Sequence, residues 1–312
     1  MSENIRLAWL KRRQEGIGGS DVAAILGLRP FADATPLKVY LSKTEPVDAS
    51  NADETERMKW GKLVEPLIIK QYSHRTGIGL EGTPKTPYGM VSHPEYPQLL
   101  ATPDQYLEGG GILEVKNTSM SREWGSTEID ASESVPLHYY LQVLHYLDVT
   151  QRSWADIAVL IAGGDCRIYK VEDNPSYRLE IREKLLAWWD RYVVPRVPPP
   201  CETVGDVKGR WPFEEPDKVV QASESDLLLL EEYRQAKAHS GAASKAAKEL
   251  EARLREALAD GEIMVEGDRA LYSCKSTRPR RTVDTKKLKD EFPVVYEKVV
   301  RESEGTRRFT VH

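Results

Sequence analysis

Cysteine is scarce: Cys166, Cys201 and Cys274 stand far apart in 312 residues. An odd, scattered set excludes a disulfide framework and fits a reducing cytoplasm. It cannot supply the full ligand set of an iron–sulfur cluster either. No run approaches the about eighteen consecutive apolar residues of a membrane span. The opening residues, MSENIRLAWLKRRQEG, lack the apolar core and small-residue cleavage site of a secretory signal. No G-x-x-x-x-G-K-[ST] motif occurs, which argues against an attached nucleotide-driven motor. Positive charge is not in excess: the formal net charge is −5. A nucleic-acid binder with this balance must gather its basic residues locally, because the global field repels phosphate.

What is present divides into two parts, a large domain over 1–205 and a smaller one over 206–312. In GIGGSDVAAILGL (16–28), Ser20 is a candidate N-cap and Gly27 a stop. From about Glu54 to Thr76, Met58, Leu63, Leu67, Ile68 and Tyr72 recur with the period of an amphipathic helix. ATPDQYLEGGGILEVKNTS (101–119) reads as two short strands around Gly109, Gly110 and Gly111. VPLHYYLQVLHYLDVT (135–150) has Leu137, Leu141 and Leu144 at helical spacing. WADIAVLIAG (154–163) is apolar enough for a strand buried on both faces. CRIYKVED (166–173) adds a strand, Asn174-Pro175 starts a helix to about Val194, and PRVPPP (195–200) opens a stiff linker. Beyond it, 223–261 reads as one long helix or as a hairpin broken near Ser240-Gly241. The tail then offers a hairpin over 262–275, the basic run RPRRTVDTKKLK (278–289), a short helix and a closing strand at 307–312. That basic run reads equally as a DNA contact or a solvated face.

The first strand pair carries unusual chemistry. Alternation puts Ile112, Glu114 and Lys116 on one face of ILEVKN and Leu113 and Val115 on the other. Asp104 follows Pro103 on the preceding strand, where a tight hairpin brings its carboxylate beside Glu114. Two such carboxylates repel each other unless a cation lies between them, and magnesium suits a hard oxygen site. Lys116 would orient water and steady developing negative charge. Glu65, beside Val64, Leu67 and Ile68, sits where an acid needs a partner. The plain alternative is an edge hairpin with solvated charges and a Glu–Lys pair. His138 and His145 lie seven apart on one helix and read as surface histidines, since no third ligand accompanies them.

Together these segments resemble a known family. P-D, nine residues, then E-V-K resembles the PD-(D/E)xK nuclease core. GIGGSDVAAILGL, KWGKLVEPLIIKQY and YYLQVLHYL, in this order over about the first 165 residues, resemble the YqaJ-type viral recombinases, relatives of lambda exonuclease. The resemblance implies an α/β fold: a restriction-endonuclease-like core with a mixed central sheet flanked by helices, followed by a C-terminal helical segment and a small α+β tail. It implies Asp104, Glu114, the Val115 carbonyl and Glu65 as the metal side of the site. Lys116 and Gln142 complete the catalytic set, around a two-metal magnesium centre that manganese can also fill. Arg13, Ser20, Thr102 and Arg122 become candidates for holding a terminal 5′-phosphate; Thr102 stands where a serine would match more closely.

The function implied is a magnesium-dependent exonuclease that enters double-stranded DNA ends and degrades the 5′ strand. It leaves 3′ single strands for annealing-type recombination. Such an enzyme belongs in the bacterial cytoplasm, phage- or prophage-encoded, as a trimeric ring beside a single-strand annealing protein and with no membrane partner. Two alternatives stand beside it: a site- or structure-specific endonuclease on the same core, and a non-catalytic end-binding protein. The intact Asp104, Glu114 and Lys116 set opposes the second.

Overall fold

The computed structural model describes residues 3–31, 34–47, 55–276, 282–301 and 310. Its chain forms two compact units, Met1–Pro212 and Phe213–His312. The first begins with helices α1 (Glu3–Gln14), α2 (Gly19–Ile25), α3 (Pro36–Thr44) and α4 (Glu56–Thr76). Strands β1 (Val91–Ser92) and β2 (Leu100–Ala101) make a small antiparallel ribbon. There follow β3 (Gln105–Leu107), β4 (Gly111–Thr118), α5 (Ala131–Ser134), α6 (Leu137–Thr150), β5 (Trp154–Ile161), β6 (Asp165–Glu172), α7 (Pro175–Trp188) and α8 (Val204–Arg210).

The main sheet is mixed, in the order β3-β4-β5-β6. Strands β3 and β4 pair antiparallel across a turn that uses Gly109 and Gly110 at φ 84° and 83°, a region that side chains resist. Strands β4 and β5 pair parallel, so the chain must cross over between them, and α6 lies on that crossover. Burial on both faces explains the apolar run of β5, where Ala155, Ile157, Ala158 and Val159 are wholly enclosed. On one face Ile112, Ile157 and Val159 pack with Leu141, Leu144 and Leu147 of α6. On the other, Leu113 and Ala158 pack with Ile68, Ile69 and Tyr72 of α4. The unit is therefore a helix–sheet–helix sandwich.

Several expectations shift. Helix α4 forms as periodicity predicts, but Met58, Leu63 and Leu67 are exposed, at 43%, 65% and 66%. The helix meets the sheet through Val64, Ile68, Ile69 and Tyr72, a face turned away from them. His145 is buried rather than on the surface, with Nε2 paired 2.9 Å from the Leu100 carbonyl. Ser20 is not the N-cap of α2. Gly18 holds that position with extended backbone, and the Asp21 carboxylate accepts its amide at 2.9 Å. The first unit also runs beyond residue 205. Asp206 on α8 is buried and accepts from the Thr35 hydroxyl at 2.7 Å, which ties α8 to the start of α3.

The second unit contains α9 (Glu224–Leu258), the hairpin β7 (Ile263–Glu266) and β8 (Arg269–Ser273), and α10 (Thr285–Glu291) and α11 (Pro293–Val299). Helix α9 is one 35-residue helix opened by a Ser223–Asp226 capping box. It runs unbroken through Gly241, because one glycine costs only about 1 kcal/mol among strong helix formers. The closing strand expected at 307–312 lies outside the described residues except for Thr310. Among the described residues no helix is long and apolar enough to cross a membrane.

One close approach fixes how α2 sits on α6. A Cβ on Gly19 would fall 2.4 Å from Tyr146 Cε1 and 2.7 Å from Gln142 Cγ. Gly19→Ala should therefore destabilise the protein by about 1–3 kcal/mol, the usual cost of overpacking. Urea denaturation measures this, and an unchanged midpoint would mean that the helix pair relaxes freely.

Candidate active site

The β4 ladder fixes Glu114 opposite Ile157, on the face that α6 covers. Glu114 is only 3% exposed, so its charge needs compensation inside the protein. Its Oε1 accepts from Lys116 Nζ at 2.5 Å and from Gln142 Nε2 at 2.7 Å. The Gln142 carbonyl in turn accepts from Lys116 at 3.3 Å, closing a triangle of side chains. Gln142 Nε2 also lies 3.2 Å from the Tyr146 hydroxyl. The Lys116 ammonium sits over the Tyr139 ring, 4.5 Å from its centre. Burial pulls the Lys116 pKa down, but Glu114 and Asp104 outweigh it and raise it, so the lysine stays charged.

Asp104 stands on the bend just before β3 rather than within a strand. Its Oδ2 accepts from the Val115 amide at 2.7 Å, which pins the acid to the strand that carries Glu114. Burial, then Glu114 and Glu65, push the Asp104 carboxyl well above the usual range; Lys116 and the Val115 amide oppose them. Glu65, half-buried on α4, is also raised, by burial first and then by Glu114. The three carboxylates therefore share one electrostatic neighbourhood.

The donor set fits a hard divalent cation. Glu114 Oε2 is buried with no hydrogen-bond partner, and three repelling acids would each gain from positive charge between them. Among the described residues, however, no group of three or more His, Cys, Asp or Glu side chains converges on one point. The Val115 amide ties Asp104 to the strand of Glu114, so these two acids are the side chains available to a cation. Glu65 acts on them through space.

Of the remaining candidates, only Arg13 and Ser20 are in contact with each other among the described residues. Arg13 Nη2 donates to the Ser20 hydroxyl at 2.6 Å and pairs with Asp21 at 3.2 Å. Thr102 lies between β2 and β3, next to Asp104 along the chain by way of Pro103, and is half-buried. Arg122 is exposed in the 3-10 turn Ser121–Glu123 that follows β4. Among the described residues no hydrogen bond links Thr102 or Arg122 to Arg13 or Ser20. Sequence reasoning missed Tyr139, Tyr146, Asp21 and Lys43. The first two lie three before and four after Gln142, on its own helical face, and Asp21 directly follows Ser20; this spacing was the available signal.

A mixed sheet between helices, with Glu114 and Lys116 on β4 and Asp104 tied to that strand, defines an α/β protein with a buried, charged site. Residues 8–153 match the YqaJ-like viral recombinase domain. The protein YqaJ of Bacillus subtilis (strain 168) is 31% identical over 319 residues, which cover 99% of this chain and 95% of that protein. The chain belongs to the YqaJ-like viral recombinase family. Among solved structures, an alkaline exonuclease (LHK-Exo) from Laribacter hongkongensis is 18% identical at a TM-score of 0.45, covering 59% of this chain and 91% of that one. A phage-related exonuclease from Haemophilus somnus 129PT is 14% identical at a TM-score of 0.43, covering 57% and 93%.

The raised Asp104 carboxyl has a thermal signature. In chelator, Asp104→Asn should raise the melting temperature by about 2–4 °C, the shift that about 1 kcal/mol produces at this size. Added magnesium should then stabilise the unmutated protein more than the variant, because binding to the folded state adds stability by mass action. A variant that melts lower in chelator and gains as much from magnesium would count against the cation site.

Proposed function

We propose that this protein is a magnesium-dependent DNA exonuclease with a PD-(D/E)xK-type core, acting at double-stranded ends and degrading the 5′ strand. One observation carries the reading: Glu114, Lys116 and Gln142 close on one another while a second Glu114 oxygen stays buried and unpaired. Membership of a viral recombinase family supports it.

In this reading Asp104, Glu114 and the Val115 carbonyl hold the metal, with Glu65 as the third carboxylate of the site. A bound divalent ion supplies a Lewis acid for the phosphate and a more acidic water. Lys116 orients the attacking water and offsets charge developing on the phosphate. Gln142 fixes the lysine by accepting from it, and Tyr139 closes its other side. A cleft of about 730 Å³ lined by Lys116, Asn117, Ser119, Trp60 and Gly61 gives the strand access. Arg13, Ser20, Thr102 and Arg122 are assigned to the terminal 5′-phosphate. A trimeric ring would keep an acidic protein on DNA, and the 3′ strand left behind suits a phage annealing protein.

The test is a linear duplex labelled at each 5′ end, incubated with magnesium beside a closed circle. Labels should be released from the linear duplex while the circle stays intact; cutting of the circle would replace this reading with an endonuclease. Lys116→Met should keep DNA binding and lose about 10²–10³ in turnover, as loss of a charge-stabilising group does. Full turnover by that variant would remove the lysine from the mechanism. Light scattering should give three chain masses, and a monomer would refute the ring.

A further inference from the structure

The Arg13–Ser20 pair ends a line of charges that neither residue explains. Lys43 on α3, with 1% of its side chain exposed, donates to Asp21 Oδ2 at 2.6 Å and to the Arg13 carbonyl at 3.1 Å. Asp21, 7% exposed, turns its other oxygen to Arg13 Nη2 at 3.2 Å. The Arg13 guanidinium also lies over the Trp9 ring, 5.3 Å from its centre. Arg13 is therefore held by a hydroxyl, a carboxylate and an aromatic face. Both hydrogen bonds use Nη2; among the described residues Nη1 and Nε have no hydrogen-bond partner. A pocket of about 620 Å³, lined in part by Arg13, Ser20, Lys38 and Lys43, opens beside them.

A buried lysine–carboxylate pair is a poor device for stability alone, since apolar replacements often serve as well or better. Two cations on one carboxylate leave a surplus positive charge, and the exposed member of the three is Arg13. We propose that Asp21, anchored by Lys43, is a positioning residue that aims the free edge of Arg13 and the Ser20 hydroxyl at a terminal 5′-phosphate. This rests on the reading of Arg13 and Ser20 as the end-phosphate pocket. A guanidinium is planar, so holding one nitrogen sets the direction of the whole fork and leaves its other edge ready for bidentate contact. Gly19, packed against Gln142 and Tyr146, joins this assembly to the helix that reaches Glu114. Binding the end phosphate thereby sets where the strand lies along the catalytic acids.

The experiment compares blunt duplexes carrying a 5′-phosphate or a 5′-hydroxyl, bound in calcium and followed by fluorescence anisotropy. The unmutated protein should prefer the phosphorylated end by about tenfold, the effect of one charge-assisted contact. Asp21→Asn should remove most of that preference without weakening binding to the hydroxyl end, and Asp21→Glu should restore part of it. Because Asp21→Asn leaves Lys43 buried without its anion, the double variant Asp21→Asn with Lys43→Met removes both charges and should show the same loss. A folded variant of either kind that keeps the preference, or binds both ends equally less well, would overturn the proposal. No preference in the unmutated protein would remove the Arg13–Ser20 pocket and the proposal with it. Retained preference without cleavage in magnesium would remove only the nuclease reading.

Discussion

A single carboxylate oxygen, Glu114 Oε1, is shared between a lysine two residues along its own strand and a glutamine on the covering helix. Its burial in β4 makes that sharing compulsory, since an enclosed charge without donors is strongly unfavourable. The demand reaches outward from there. Lys116 must fold back over its own strand, Gln142 must face the sheet, and α6 must cross at the height that lets it do so. Asp104 is drawn in by the same strand, through the Val115 amide rather than through a side chain. Geometry that looks catalytic is also the cheapest way to keep an acid in the core.

Helix α6 serves two neighbours with one face. Gln142 and Tyr146 meet each other, and the same pair receives Gly19 of α2 at a separation that leaves no room for a methyl group. Glu114 of β4 and the α2 segment that carries Ser20 are thereby both set against that face of α6.

Much of this was legible in the sequence. The alternation in ILEVKN placed Glu114 and Lys116 on one face, and the glycine triplet marked the turn, because both signals are local. The apolar run of β5 announced burial on both faces. Illegible were contacts decided by tertiary packing. Leu63 and Leu67 satisfy helical periodicity yet face outward, because period alone does not say which edge of α4 meets the sheet. His145 looked like a surface residue until the Leu100 carbonyl supplied its partner. Ser20 looked like a cap because serine often is one; Asp21 takes the capping bond instead and frees the serine hydroxyl. The partnership of Asp21 with Lys43 spans a loop and two helices, and no spacing rule reaches that far.

The parallel pairing of β4 with β5 carries a consequence in time. Asp104, Glu114 and Lys116 lie within one hairpin, whose closure is local and fast. Gln142 arrives only when the chain has crossed over and β5 has docked beside β4, a step that must meet the entropy of closing a long loop first. During synthesis from the N-terminus, the acids therefore emerge well before the helix that locks their lysine in place. On the proposed reading, a partly made chain would carry the carboxylates without the working arrangement. The crossover is then the step that completes the arrangement.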